Sequence, residues 1–257
     1  NLLGNAVKFT ESSGTVTFDG AGTSTLDSGA DDFNNVTVTD GTTLQLTGND
    51  ATINVLDITA TGSNVFDLNG KGLTLTTLYN DGTVKLIGSE KASITITNMD
   101  VDSGTFLYVG DGDSATDTFD VYDFDPTQGN DDYYNLTFLA ADGTSDNFQT
   151  TTHLKVAGAL NLAAGVLDIS GDELTTTGAL NVSGGTLIAT AGDINANSDV
   201  SLSSGVITAP GSSNNFTVAG NWSKTGGTFN NSSGIVTFDA GENQTVTSGG
   251  SSFNGVN

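Results

Sequence analysis

The chain has 257 residues, enough for one large domain or two ordinary ones. Its 30 acidic side chains stand against six lysines and no arginine, for a formal charge of −24, which argues against nucleic acid and anionic membranes as partners. Cysteine is absent, so disulfides and thiolate metal sites are excluded, and no apolar run is long enough for a membrane-spanning helix.

The chain begins at Asn1 with neither Met nor a basic-then-apolar leader, and the expectation is a mature or trimmed secreted product. With 34 glycines and two prolines, the composition is that of many short turns. The first element, Phe9 to Val36, reads FTESSGTVTFDGAGTSTLDSGADDFNNV. Beyond it, Ile53/Val55/Ile58/Gly62/Phe66, Leu73/Leu75/Leu78/Gly82/Val84 and Ile94/Ile96/Met99/Gly104/Phe106 recur at an interval of about twenty residues. An acidic stretch then breaks the rhythm, and 107–152 is expected to be an irregular insertion. From Leu154 the rhythm is strict. Leu154, Val156, Gly158, Leu160, Leu162, Gly165 and Leu167 are followed by Leu174, Thr176, Gly178, Leu180, Val182, Gly185 and Leu187. The next copies are Ile194, Ala196, Ser198, Val200, Leu202, Gly205 and Ile207, then Phe216, Val218, Gly220, Trp222, Lys224, Gly227 and Phe229.

Apolar residues alternating in pairs between small corners predict short strands with one face inward. Three such strands per twenty residues predict one turn of a β-solenoid. The expected fold is therefore all-β: a single continuous parallel β-solenoid over 1–257, with about twelve coils and a length of roughly 60 Å at strand spacing. A β-sandwich would also offer short strands, but nothing in it would hold one interval along the whole chain. A lone coil cannot bury its own apolar side chains, so each depends on its neighbours. Asn161, Asn181, Ser201 and Ser223 are expected to line up outside as a polar ladder.

A longer period overlies the short one. Phe229 to Val256 reads FNNSSGIVTFDAGENQTVTSGGSSFNGV and shares 14 of 28 positions with Phe9 to Val36 at an offset of 220. Coils 1–36 and 229–256 are thus expected to be equivalent, with Phe9, Val16, Phe18 and Phe33 matching Phe229, Val236, Phe238 and Phe253. A weaker echo, DDYYNLTF at 131–138, matches DDFNNVTV at 31–38. Neither end carries an evident polar cap, so the chain is expected to be about one repeat of something longer, as tandem copies or as stacked chains. The segment TGGTFNNSSGIVTFDAGENQTVTSGGSSFNGV resembles a β-helical repeat of large bacterial cell-surface and adhesin-type proteins, over roughly the last forty residues and more loosely the first thirty. The resemblance implies stalk or matrix material at a cell surface and carries no catalytic signature.

Candidate chemistry is sparse. Asp111, Asp113, Asp117, Asp120, Asp123 and Asp125 form an acidic run suited to Ca²⁺, a hard cation that takes oxygen ligands, although the spacing matches neither an EF-hand nor a GGxGxDxUx repeat. No other cofactor is expected. His153 is the only histidine and is placed at a coil corner. Asp31/Asp32, Asp131/Asp132 and Asp172/Glu173 invite comparison with glycosidases, yet adjacent acids suit turns. Thr74/Thr76 and Thr95/Thr97 are a candidate ice-binding array that fails one coil earlier, at Asn54 and Leu56. Asn-x-Ser/Thr triplets at Asn35, Asn135, Asn181, Asn215, Asn221, Asn230, Asn231 and Asn243 are candidate glycan acceptors. The expected role is a non-enzymatic building block of an extracellular fibre, stalk or matrix, partnered head to tail by copies of itself. A carbohydrate- or surface-binding adhesin is the alternative, and a polysaccharide-degrading β-helix the third reading.

Overall fold

A computed structural model describes residues 13–29, 31–124, 129–143, 146–169 and 171–257. The chain is an all-β parallel β-solenoid of about 11 turns with about 20 residues per turn. It divides into two compact units, Asn1–Leu107 and Tyr108–Asn257. The count falls slightly below the expected dozen because some coils are longer than twenty residues. Asn147 stacks on Thr118, for example, and Thr228 on Val206.

In the first unit, one sheet is formed by Thr15–Phe18, Asp32–Val38, Ala51–Ile58, Leu73–Asn80 and Ile94–Asn98. Facing it are Gly22–Leu26, Thr42–Leu46, Val65–Asp67 and Thr83–Leu86, again all parallel. The expected three strands per coil appear here as two, because a corner lies inside each long strand. Inward residues there are three apart instead of two: Phe33 and Val36, Ile53 and Leu56, Leu75 and Leu78. Asn34, Asn54 and Thr76 drop out of the pairing register at that corner, and Asn54 Nδ2 donates to Asn34 Oδ1 at 3.2 Å. The step changes the phase of the alternation. Leu56, expected on the outer face, is therefore fully buried, while Val55 is only half-buried. Leu75, not Leu73, stacks on Ile53, because that coil is 22 residues long, and Leu73 stacks on Ala51.

The second unit has three sheets. One contains Thr118–Asp120, Asn147–Gln149, Val166–Asp168, Thr186–Ile188, Val206–Thr208 and Thr228–Asn230. Another contains Asn135–Leu139, Leu160–Ala164, Leu180–Val182, Val200–Leu202, Trp222–Lys224 and Val246–Thr247. The third contains Leu154–Val156, Glu173–Thr176, Asp193–Ala196, Asn215–Val218 and Ile235–Phe238. The register tracks the sequence period residue by residue: Leu154–Leu174–Ile194–Phe216, Leu160–Leu180–Val200–Trp222 and Leu167–Leu187–Ile207–Phe229. These ladders are dry, and burying each Leu or Ile side chain contributes about 1.5–3 kcal/mol. The outward ladder forms as well, with Asn181 Nδ2 donating to Asn161 Oδ1 at 3.0 Å.

The stretch 107–152 is more regular than expected. Its strands Thr118–Asp120, Asn135–Leu139 and Asn147–Gln149 join the same sheets, and its aromatics fill the interior, Tyr108 packing on Phe138 and Phe148.

Candidate functional site

The most distinctive cluster lies where the acidic run meets the strand Asn147–Gln149. Thr118 pairs with Asn147, so the residues just before them, Asp117 and Asp146, stand one above the other. The Asn147 N–H donates to the Asp117 carbonyl at 2.8 Å, and the Val166 N–H to the Asp146 carbonyl at 2.9 Å. In later coils this column is occupied by Gly165, Gly185, Gly205 and Gly227. Carboxylates thus occupy positions where the solenoid otherwise has no side chain. The chain makes room by another glycine: a Cβ on Gly110 would overlap the Asp146 carboxylate.

Oxygens of Asp111, Asp117 and Asp146 all lie within 4.8 Å of one another. Turn bonds hold the surrounding loop, with the Asp113 N–H donating to Asp111 Oδ1 at 3.3 Å, Ala115 N–H to Asp113 Oδ1 at 2.7 Å and Ser114 N–H to Asp142 Oδ2 at 3.1 Å. Asp146 is 0% exposed, and neither of its carboxylate oxygens has a hydrogen-bond partner. Its carboxyl is raised to about 6, first by burial and then by repulsion from Asp142, Asp111, Asp117 and Asp113. The Asp117 carboxyl is raised too, by desolvation and the same acidic neighbours.

The run expected from sequence is thus divided. Asp111 and Asp117 belong to the cluster, with Asp113 close enough to repel its members. Asp120 is exposed on its strand, and Asp123 accepts from Thr152 Oγ1 at 2.6 Å, outside the three-carboxylate group. Asp125 lies outside the described residues. Asp146 was not in the expected set because it sits 29 residues beyond Asp117, an interval foreign to the twenty-residue period.

A second feature belongs to the first unit. A surface groove of about 630 Å³ is lined by Thr77, Tyr79, Asp81, Met99, Asp100 and Asp102, among others. Tyr79 is 57% exposed there. Asp100 accepts from the Asn80 and Asp102 N–H groups at 2.7 and 3.1 Å, and burial raises its carboxyl above the usual range.

The other candidates have structural places. His153 Nε2 lies 3.2 Å from Thr175 Oγ1, whose proton goes to Glu173 Oε1 at 3.1 Å, so that hydroxyl is committed to a carboxylate and not to the ring. Thr74 stacks in register between Thr52 and Thr95, but Thr76 sits at the unpaired corner, leaving one file of threonines and not the two of the expected array.

The equivalent coils take the same local form. Val236 bridges to Val256 just as Val16 pairs with Val36. The Ser251 N–H donates to the Ser248 carbonyl at 3.0 Å, and its counterpart, Asp31 N–H to Ser28, spans 2.8 Å. Gly29 and Gly249 both adopt positive φ, 58° and 55°. Phe33 and Phe229 are buried, Phe18, Phe238 and Phe253 half-buried, and Val236 lies further inside than Val16. Phe253 packs edge-on against Trp222 and Phe238. Phe9 lies outside the described residues. Among the described residues no helix is long and apolar enough to cross a membrane. Scans of family models, curated proteins and solved structures match nothing to this chain.

Proposed function

We propose that the chain is a structural segment of an extracellular fibre, stalk or matrix of the bacterial cell-surface kind, lengthening by stacking coil upon coil. The observation that carries this reading is the equivalence of the coils around Val16–Val36 and Val236–Val256 in sequence, pairing and turn geometry. In the first coil Val36 leads into Thr37, Val38 and the strand Thr42–Leu46, and by that equivalence the coil stacked beyond Val256 takes the same course. Parallel stacking supplies the bond: each added coil satisfies the N–H and C=O groups of the one before and covers its apolar ladder. The added coil belongs either to the same polypeptide or to a second copy. The acidic surface keeps neighbouring fibres apart.

Electron microscopy of the concentrated chain tests this, beside a fusion in which residue 257 is joined directly to residues 38–257. Uniform filaments of the first, or one continuous elongated particle of the second, is the expected result. Monomers in the first case together with two separate bodies in the second would overturn it.

The groove beside Tyr79 favours one other reading, a carbohydrate-binding adhesin. An exposed aromatic ring next to carboxylates is a surface on which a sugar stacks and donates hydrogen bonds. A glycan array with the native chain and Tyr79→Ala checks it.

A further inference from the structure

We propose that Asp111, Asp117 and Asp146 bind one Ca²⁺ ion, which fastens the acidic loop to the solenoid wall. Among the described residues four carboxylates are buried: Asp67, Glu90, Asp132 and Asp146. The first three are each supplied with donors. Asp67 holds the Lys85 ammonium at 2.9 Å and accepts from Gln45 at 3.1 Å. Glu90 accepts from the Gly70, Ile87 and Gly88 N–H groups at 2.9, 3.0 and 2.7 Å. Asp132 accepts from the Phe124 and Lys155 N–H groups at 3.2 and 2.8 Å. Asp146, the most buried, has no donor at all, and every charge acting on it is another carboxylate. A buried anion without a partner is strongly unfavourable, and a cation is the partner that this geometry admits.

The oxygens select the ion. Two ligands on one Ca²⁺ at about 2.4 Å are separated by at most about 4.8 Å, the limit within which the three carboxylates fall. Three carboxylates, each able to bind through both oxygens, approach the six to eight ligands that Ca²⁺ takes. Mg²⁺ demands a tight octahedron and sheds water reluctantly, which a wall-and-loop site does not reward. Zn²⁺ and Cu²⁺ prefer nitrogen and sulfur, which the cluster lacks. The site is independent of end-to-end stacking.

The test compares the native chain with Asp146→Asn and with Asp239→Asn, an exposed acid in the last full coil. Calorimetric titration with CaCl₂ is expected to give one strong site per chain in the native protein and in Asp239→Asn, and none in Asp146→Asn. At a hundredfold excess over Kd, Ca²⁺ should raise the melting temperature by about 5–10 °C, with little effect of equal Mg²⁺. In chelator, Asp146→Asn should melt no lower than the native chain, because removing an unpartnered charge relieves repulsion. A native chain indifferent to Ca²⁺, or one whose response persists in Asp146→Asn as diffuse screening would, overturns the proposal.

Discussion

The hydroxyls of Tyr108 and Tyr133 lie 2.8 Å apart in the interior of the second unit and close a ring of hydrogen bonds through Tyr122. The Tyr122 N–H donates to Tyr108 Oη at 3.1 Å, Tyr108 donates to Tyr133, and Tyr133 donates to the Tyr122 carbonyl at 2.5 Å. The ring pins the segment after Thr118–Asp120 to the core. Removing either hydroxyl strands a backbone group of the half-buried Tyr122, so Tyr108→Phe and Tyr133→Phe should each cost about 1–3 kcal/mol. The double variant should cost less than the sum, because the two hydroxyls serve one ring. Denaturant titration of the four proteins checks the cycle, and strict additivity would refute it.

The same burial sets a pH dependence. Burial first, then Tyr108 and nearby carboxylates, holds the Tyr133 phenol well above its ordinary 10.0. A phenol that keeps its proton in the folded state but releases it when unfolded contributes stability below pH 10. That contribution is lost as the pH climbs from 10 towards the folded value. Phenolate absorbance should therefore show Tyr133 keeping its proton beyond the ordinary phenol range and ionising as the chain unfolds. Tyr133→Phe should flatten the alkaline fall in stability.

Adjacent threonines should respond with opposite signs. Thr176 is fully buried in the ladder between Val156 and Ala196, and its hydroxyl has no partner. Thr176→Val keeps the shape and removes the orphan, and should stabilise by about 1 kcal/mol. Thr175 faces the other way and donates to Glu173, so Thr175→Val should destabilise by about 0.5–1.5 kcal/mol. Paired thermal melts decide, and a loss at Thr176 would count against the dry ladder.

The duplicated chain used to test stacking carries a thermodynamic signature too. Val246 and Val256 are exposed apolar residues in the coil that an added coil would cover. The fusion should melt above the single chain, with denaturant sensitivity growing by more than a factor of two as the junction buries them. Two transitions identical to that of the single chain would mean that the junction does not form.

The strict coils were legible in the sequence because register and period coincide. Leu160, Leu180, Val200 and Trp222 line up by counting alone, and they stack in that order. The first unit was harder. Its corner is built by a three-residue step that glycine does not mark, so a rule of strict alternation puts Leu56 outside when it lies at the centre. The acidic site was half legible. Asp111 and Asp117 stand out by composition, but Asp146 reaches them through strand pairing across a coil of unusual length, and no local pattern encodes that. The ring of Tyr108, Tyr122 and Tyr133 was invisible for the same reason.

The in-register columns between Leu154 and Lys224 also bear on how such a chain changes over generations. A whole turn can be duplicated or lost by unequal recombination while every surviving inward side chain keeps an inward neighbour above and below. Length is then the cheapest property to vary, and descendants of this gene should differ by entire turns far more often than by a few residues within one.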